Sequence, residues 1–217
     1  MKIGIIGAGH IGGALTRRLR ALGYDVSVAN SRGPQTLADL AAETGASAVT
    51  VEQAARDRDL VVVTIPQKSI PELPRDLFAQ AGAAIVVDTG NYYPQRDGRI
   101  EEIEQGTPES VWVSRRLGRP VVKAFNNIRA QHLLEHGKPA GTPGRIALPV
   151  AGDDEAAKST VLALVDELGF DPVDGGTIDG SWRQQPGTPV YAADLDVAGV
   201  ADALARASPD RPEGFRA

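Results

Sequence analysis

The sequence predicts an α/β fold: a doubly wound, mostly parallel sheet with helices on both faces and a small C-terminal extension. Three observations predict it. A short apolar run over residues 3–6 leads straight into Gly7-Ala8-Gly9-His10-Ile11-Gly12, and a helix-like stretch follows. A strand-like stretch at 26–29 then closes a β-α-β unit of about thirty residues. Residues 60–65, Leu-Val-Val-Val-Thr-Ile, read as a central parallel strand buried on both faces.

The first unit carries the clearest chemistry. In a G-x-G-x-x-G loop between strand and helix, Gly7 permits the tight turn and Gly9 lets the backbone approach a diphosphate. Gly12 lets the helix pack close to the strand. Free N–H groups at the helix N-terminus favour an anion there, so residues Gly7, Ala8, Gly9, His10 and Ile11 are candidate cofactor contacts. In the helix, Ile11, Leu15, Leu19 and Leu22 recur at helical spacing, Arg17, Arg18 and Arg20 face water, and Gly23 suits its end. A site for NAD usually ends the second strand with Asp or Glu, which holds the ribose 2′-hydroxyl. Here Asn30-Ser31-Arg32-Gly33-Pro34 stands instead. Arg32 can pair with a phosphate, Ser31 and Asn30 can donate hydrogen bonds, and no carboxylate repels it. This spacing predicts a Rossmann-type domain preferring NADP.

The remaining elements follow in order. Pro34 suits the first turn of a helix and Gly45 its end, and Thr50 to Gln53 has the form of a capping box. The 60–65 strand stops at Pro66. Strand C-termini line the ligand crevice of an open α/β sheet, so Thr64, Ile65 and Pro66 can touch the ribose and nicotinamide. Strands at 83–87 and 120–125 end in Asp88-Thr89-Gly90-Asn91 and Asn126-Asn127, which makes Gly90, Asn91 and Asn126 further cofactor candidates. Asp88 reads as a turn or cap residue. The polar connection 91–107 is long enough to cover a site. Strands are expected at 145–151 and 170–173, with a helix between them capped by Asp153 and ended by Gly169. Residues 1–176 thus form the NADP-binding domain and 177–217 an extension. In that extension, Trp182, Arg183 and Tyr191 are candidate substrate contacts, and residues 181–191 fit a substrate loop and a subunit interface equally. A helix at 194–207 and a frayed tail at 208–217 complete the chain.

Composition narrows the function. The 217 residues carry net charge −5 and no long basic run, which speaks against nucleic acid as a partner. There is no cysteine, so thiolate chemistry and disulfides are excluded. The three histidines, His10, His132 and His136, are read as widely placed, and no metal site is expected. No apolar stretch approaches the roughly 20 residues of a membrane span. A cytoplasmic homodimer acting on a small-molecule electron acceptor is expected.

The segments GIIGAGHIGGAL, NSRGP, VVVTIP, VVDTGNYY, VVKAFNN and LPVAGDDEAAKSTV together resemble the NADP-dependent oxidoreductases that include the NADPH:coenzyme F420 reductases. The soluble domain of the six-transmembrane ferric reductases is similar too. The resemblance covers roughly residues 1–176. It implies hydride transfer at the nicotinamide between NADP(H) and a deazaflavin, such as coenzyme F420, or a flavin. By position it implies diphosphate contacts at residues 7–11, 2′-phosphate contacts at Ser31 and Arg32, and Ile65, Pro66 and Asn126 near the nicotinamide. The departure lies at residues 182–191, where the F420 enzymes carry a mostly apolar helix. The β-hydroxyacid dehydrogenases and imine reductases share a similar N-terminal domain, but the roughly 40 residues after Gly176 are too few for their helical domain.

No acid–base dyad is evident and no catalytic residue is assigned, which suits a reaction that mainly needs positioning. Two other readings stand beside the oxidoreductase. One is a non-catalytic NADP(H)-sensing binding protein. The other is a small carbonyl or imine reductase, with Lys123 or Tyr191 as its proton donor.

Overall fold

The glycine loop joins the first strand and helix of a six-stranded parallel sheet. The computed structural model describes residues 1–79 and 82–217. Strands β1 (Lys2–Ile6), β2 (Asp25–Ala29), β3 (Ser47–Ala48), β4 (Leu60–Val63), β5 (Ile85–Asp88) and β6 (Val122–Lys123) lie in the order β3-β2-β1-β4-β5-β6. The order reverses between β1 and β4, and an open α/β sheet places its ligand crevice at that switch point. The predicted fold class is therefore the observed one.

Alternation along the strands explains why both faces are covered. Leu60 and Val62 enter one core with Ile3, Ile5 and Val28. Val61 and Val63 enter a second core with Ile6 and Val86. The first core is roofed by α1 (His10–Ala21), α7 (Ala130–Glu135) and α8 (Glu155–Glu167) through Leu15, Leu19, Leu133, Val161 and Leu164. The second is roofed by α3 (Val51–Ala55) and α6 (Glu109–Leu117) through Ala54, Trp112 and Val113. Each fully buried valine or leucine contributes about 1.5–3 kcal/mol.

Local signals set most of the ends. Pro34 opens a 3₁₀ turn ahead of α2 (Ala38–Thr44), and Gly45 closes α2 at φ +73°. Thr50 and Gln53 form the reciprocal capping box, worth about 0.5–2 kcal/mol.

The structure departs from expectation in several places. β4 stops at Val63, and β6 has two residues, Val122 and Lys123. β7 (Ala147–Val150) and β8 (Asp171–Asp174) form their own two-stranded parallel sheet around α8. It meets the main sheet through one antiparallel bridge, Lys123 to Ala151. Asp154, not Asp153, caps α8 by accepting from the N–H groups of Ala156 and Ala157. Asp153 instead accepts from Ile178 N–H.

The connection 91–107 is folded rather than loose. It holds two single-turn helices, α4 (Pro94–Asp97) and α5 (Glu101–Glu104), around a fully buried Tyr92. The closing helix α9 (Val197–Ala205) packs Val200 and Ala203 against Ala147. The tail beyond it is not frayed. Arg211 reaches a buried carboxylate, Phe215 meets the Tyr93 ring at 6.3 Å, and the Gly214 carbonyl accepts from Gln95.

Candidate functional site: a dinucleotide crevice

Each glycine of the loop meets a different surrounding. Gly7 lies at φ +111°, and a Cβ there would stand 2.3 Å from the Thr64 carbonyl oxygen. A Cβ on Gly12 would stand 1.9 Å from the Gly7 carbonyl oxygen. Both positions exclude a side chain because backbone sits where it would go. At Gly9 nothing lies within 4 Å of an added Cβ. That open space adjoins the start of α1, whose N-cap offers no side-chain cap and whose first turn has no acid. Its leading N–H groups are therefore free for an anion. The residues fit the diphosphate of a dinucleotide.

Gly9→Val separates the two roles. The fold should survive, because an added Cβ has no protein atom within 4 Å. Dinucleotide affinity should fall by about tenfold or more. Fluorescence titration with NADPH, beside a thermal melt, checks both. Undiminished affinity would place the ligand elsewhere.

Beside the loop runs an open groove of about 630 Å³, lined by Gly9, His10, Arg32 and Thr36 and faced by Ala130 and Leu134 of α7. Ser31 and Arg32 are exposed at its end. The Arg32 guanidinium makes no ion pair among the described residues. Asn30 is used differently from expectation. Its amide donates to Thr36 Oγ1 at 2.9 Å, and its oxygen accepts the Arg32 N–H at 3.0 Å. It shapes the turn that presents Arg32, and one of its two amide protons remains for a ligand.

The crevice floor is built from the strand tips. Thr64, Ile65 and Pro66 are half-buried after β4, with the Thr64 N–H held by the Ile6 carbonyl at 2.9 Å. Asn91 and Asn126 exchange hydrogen bonds: Asn91 Nδ2 donates to the Asn126 carbonyl at 2.8 Å, and Asn126 Nδ2 to Asn91 Oδ1 at 3.1 Å. Gln184 then latches the extension onto them. Its Nε2 donates to Asn126 Oδ1 at 2.9 Å, and its carbonyl accepts from Asn126 Nδ2 at 2.7 Å. Both amide protons of Asn126 are thereby committed, which leaves one acceptor lone pair for a ligand.

Of the candidate substrate contacts, Tyr191 meets Tyr93, two residues beyond Asn91. Its hydroxyl pairs with that of Tyr93, whose pKa is pushed up by burial and by this hydrogen bond. Arg183 lies 4.4 Å over the Trp182 ring and covers one of its faces. Trp182 lines a separate cavity under the tail.

Beneath the floor is a buried ionic chain that sequence reasoning missed. Lys123 and Asp88 are 0% and 1% exposed, and Lys123 Nζ donates to Asp88 Oδ2 at 3.0 Å. Ser110 Oγ donates to the same oxygen at 2.7 Å, and the Gly90 N–H to Oδ1 at 2.8 Å. Lys123 also donates to the Gly90 carbonyl. Lys123 is thus a structural cation that pins the 88–90 turn rather than a proton donor facing a substrate. Glu109, fully buried at the start of α6, accepts the Tyr92 N–H at 3.0 Å and Arg211 Nη2 at 2.9 Å. A carboxylate beside the apolar run Val111-Trp112-Val113 was the available signal. Gln67 is fully buried as well, lies against Gly90, and its amide has no partner among the described residues.

Burial pushes the Glu109 carboxyl above its ordinary 4.5, opposed by Lys123 and Arg211. The folded chain therefore holds this proton more tightly than the unfolded chain. Its contribution to stability is greatest below pH 4.5 and declines as pH rises through the window above it. Arg211→Met should steepen that decline and Glu109→Gln should flatten it, as read from urea melts across pH. Parallel curves would refute the assignment.

His132 and His136 are not far apart: their rings stack at 4.4 Å, and His132 Nδ1 lies 2.5 Å from Asp194 Oδ2. Among the described residues no group of three His, Asp or Glu could hold a metal, and no helix is long and apolar enough to cross a membrane.

Comparison with known proteins finds relatives of the same fold. A crystal structure of a hypothetical protein from Sinorhizobium meliloti is 34% identical, with TM-score 0.76 over 90% of this chain and 95% of that one. An Arthrobacter protein, provisionally described as an F420-dependent NADP reductase, is 25% identical, with TM-score 0.68 over 83% and 87%. The metalloreductase STEAP3 of Rattus norvegicus is 30% identical over 177 residues, which is 82% of this chain and 34% of that protein. The chain spans about half or less of the length of the curated relatives it matches. Residues 2–92, which contain the glycine loop and the tips of β2, β4 and β5, match the family described as NADP oxidoreductase, coenzyme F420-dependent. Residues 2–92 of the chain are thus those of this NADP-dependent oxidoreductase family.

Proposed function

We propose that the chain is an NADPH-dependent oxidoreductase that moves a hydride between NADP(H) and a planar electron acceptor, a deazaflavin such as coenzyme F420 or a flavin. The observation that carries this reading is the β2 tip. Ser31 and Arg32 are exposed there, the guanidinium is unpaired among the described residues, and no carboxylate occupies residues 30–34. A guanidinium free of protein partners suits a 2′-phosphate.

The nicotinamide, when bound, supplies the hydride chemistry. Residues 7–11 would hold the diphosphate, and Thr64, Ile65 and Pro66 would wall the ribose and nicotinamide. Gly90, Asn91 and Asn126 would form the floor, stiffened from below by the Asp88–Lys123 pair. Such a site works by positioning and by excluding water, so the lack of a dyad is no objection.

The test is NADPH oxidation with coenzyme F420, FMN, FAD, a ferric chelate and small imines and carbonyls, each in a separate assay. Turnover is expected with the deazaflavin or a flavin. The likeness to a metalloreductase is the reason for the ferric arm. A selective rate with an imine or carbonyl that falls in Tyr191→Phe would favour the small-reductase reading. Tight NADPH binding with no turnover on any acceptor would overturn the enzyme.

A further inference from the structure

The turn that leaves β5 is held by charged side chains. The Tyr92 N–H donates to Glu109 Oε2 at 3.0 Å, and the carbonyl of the same peptide, that of Asn91, accepts from Arg96 Nη2 at 2.5 Å. The Tyr93 N–H donates to Asp97 Oδ2 at 3.0 Å, and that oxygen also accepts from Arg96 Nη2 at 2.8 Å. A planar peptide gripped by a carboxylate at its N–H and a guanidinium at its carbonyl resists rotation, because turning it breaks two charge-assisted bonds. Of the amides from Thr89 to Tyr93, that of Asn91 alone has no partner among the described residues. Asn91 is half-buried, and a backbone N–H in that position calls for water or a ligand.

One end of this grip leads out to the tail. The other oxygen of Glu109, Oε1, accepts Arg211 Nη2 at 2.9 Å. The titratable groups that face Glu109 are Arg211 from the tail, Lys123 from β6, whose charge Asp88 meets, and the Tyr93 phenol. Burial pushes the Glu109 carboxyl up, and Lys123 and Arg211 oppose it. Arg211 therefore favours the ionised carboxylate, which is the stronger acceptor for the Tyr92 N–H.

We propose that Arg96, Glu109 and, through Glu109, Arg211 of the C-terminal tail are positioning residues for the nicotinamide half of the dinucleotide. They fix the Asn91–Tyr92 peptide and with it the Asn91 contact, which rests on the NADP(H) reading above. The tail thereby acts on the cofactor site through one buried carboxylate.

The test is calorimetric titration of the full chain with NADPH and with adenosine 2′,5′-bisphosphate, which carries the adenine and the 2′-phosphate but no nicotinamide. Arg96→Met and Glu109→Met should each weaken NADPH about tenfold and leave the bisphosphate within about twofold. Glu109→Gln should lose less than Glu109→Met, since its amide oxygen can still accept the Tyr92 N–H. In Arg211→Met the NADPH loss should shrink as pH rises, because the carboxylate regains its charge. The ratio to the bisphosphate cancels titration of the 2′-phosphate, which both ligands carry. If Glu109→Met fails to fold, Arg96→Met, at an exposed side chain, carries the same expectation. A merely structural role would weaken both ligands alike. Equal losses for the two ligands, or NADPH affinity unchanged in either methionine variant, would overturn the proposal. A wild-type chain that binds neither ligand would overturn the NADP(H) reading, and the positioning role with it.

Discussion

Lys123→Met should lower the stability of the folded chain by about 3–5 kcal/mol, because it leaves the Asp88 carboxylate buried without its cation. Both side chains are almost wholly excluded from water, and their contact is 3.0 Å. That loss is a large part of the 5–15 kcal/mol that holds an ordinary domain together. The effect reaches the crevice as well. Lys123 donates to the Gly90 carbonyl, and Asp88 accepts the Gly90 N–H, so the turn carrying Asn91 loses a fixed support. Adding Asp88→Asn should recover much of the loss, since the uncompensated charge is then gone. Urea unfolding of the two single variants and the double variant gives the coupling directly. A single-variant loss below about 1 kcal/mol would mean that water reaches the pair.

Arg32→Ala should weaken NADPH by about 1.5–3 kcal/mol, roughly ten- to a hundredfold, and leave NADH almost unchanged. The two dinucleotides differ only in the 2′-phosphate, so the difference reads that contact alone. Arg32→Lys should lie between, because an ammonium keeps the charge but not the planar pair of donors. The selectivity should shrink as salt is raised, since Arg32 is exposed. Competitive titration of both cofactors at two ionic strengths measures all of this. Equal losses for NADPH and NADH would refute the NADP assignment.

Much of the fold was legible in the residues because its signals are local. A strand buried on both faces must be apolar throughout, and Leu60 to Val63 is. A turn at φ +111° against a carbonyl 2.3 Å from any Cβ must be glycine, and position 7 is. The capping box at Thr50 and the left-handed end at Gly45 are set by a few neighbouring side chains. The strand tips and helix start that carry the candidate cofactor contacts were readable for the same reason, since β1, β2 and β4 are plain apolar runs.

What only the tertiary structure decided involves pairs distant in sequence. Asn126 reads as a ligand contact, but only its pairing with Gln184, 58 residues on, shows that its amide protons are spent and one acceptor lone pair is left. Glu109 and Arg211 are 102 residues apart, and neither has a local pattern announcing that one neutralises the other. The tail looked frayed because its Pro, Asp and Arg content suits solvent, yet it is held by that ion pair and by Phe215 against Tyr93. β7 and β8 read correctly as strands, but their pairing as a second sheet, joined to the main one by the bridge at Lys123, is made through space. By itself, then, the sequence determined the parallel αβ sheet, the glycine loop and the Ser31-Arg32 tip, because backbone sterics and strand burial act over a few residues. The tertiary structure decided which polar groups are free for a ligand and which are consumed by the protein, because a hydrogen bond or a buried charge finds its partner only through space.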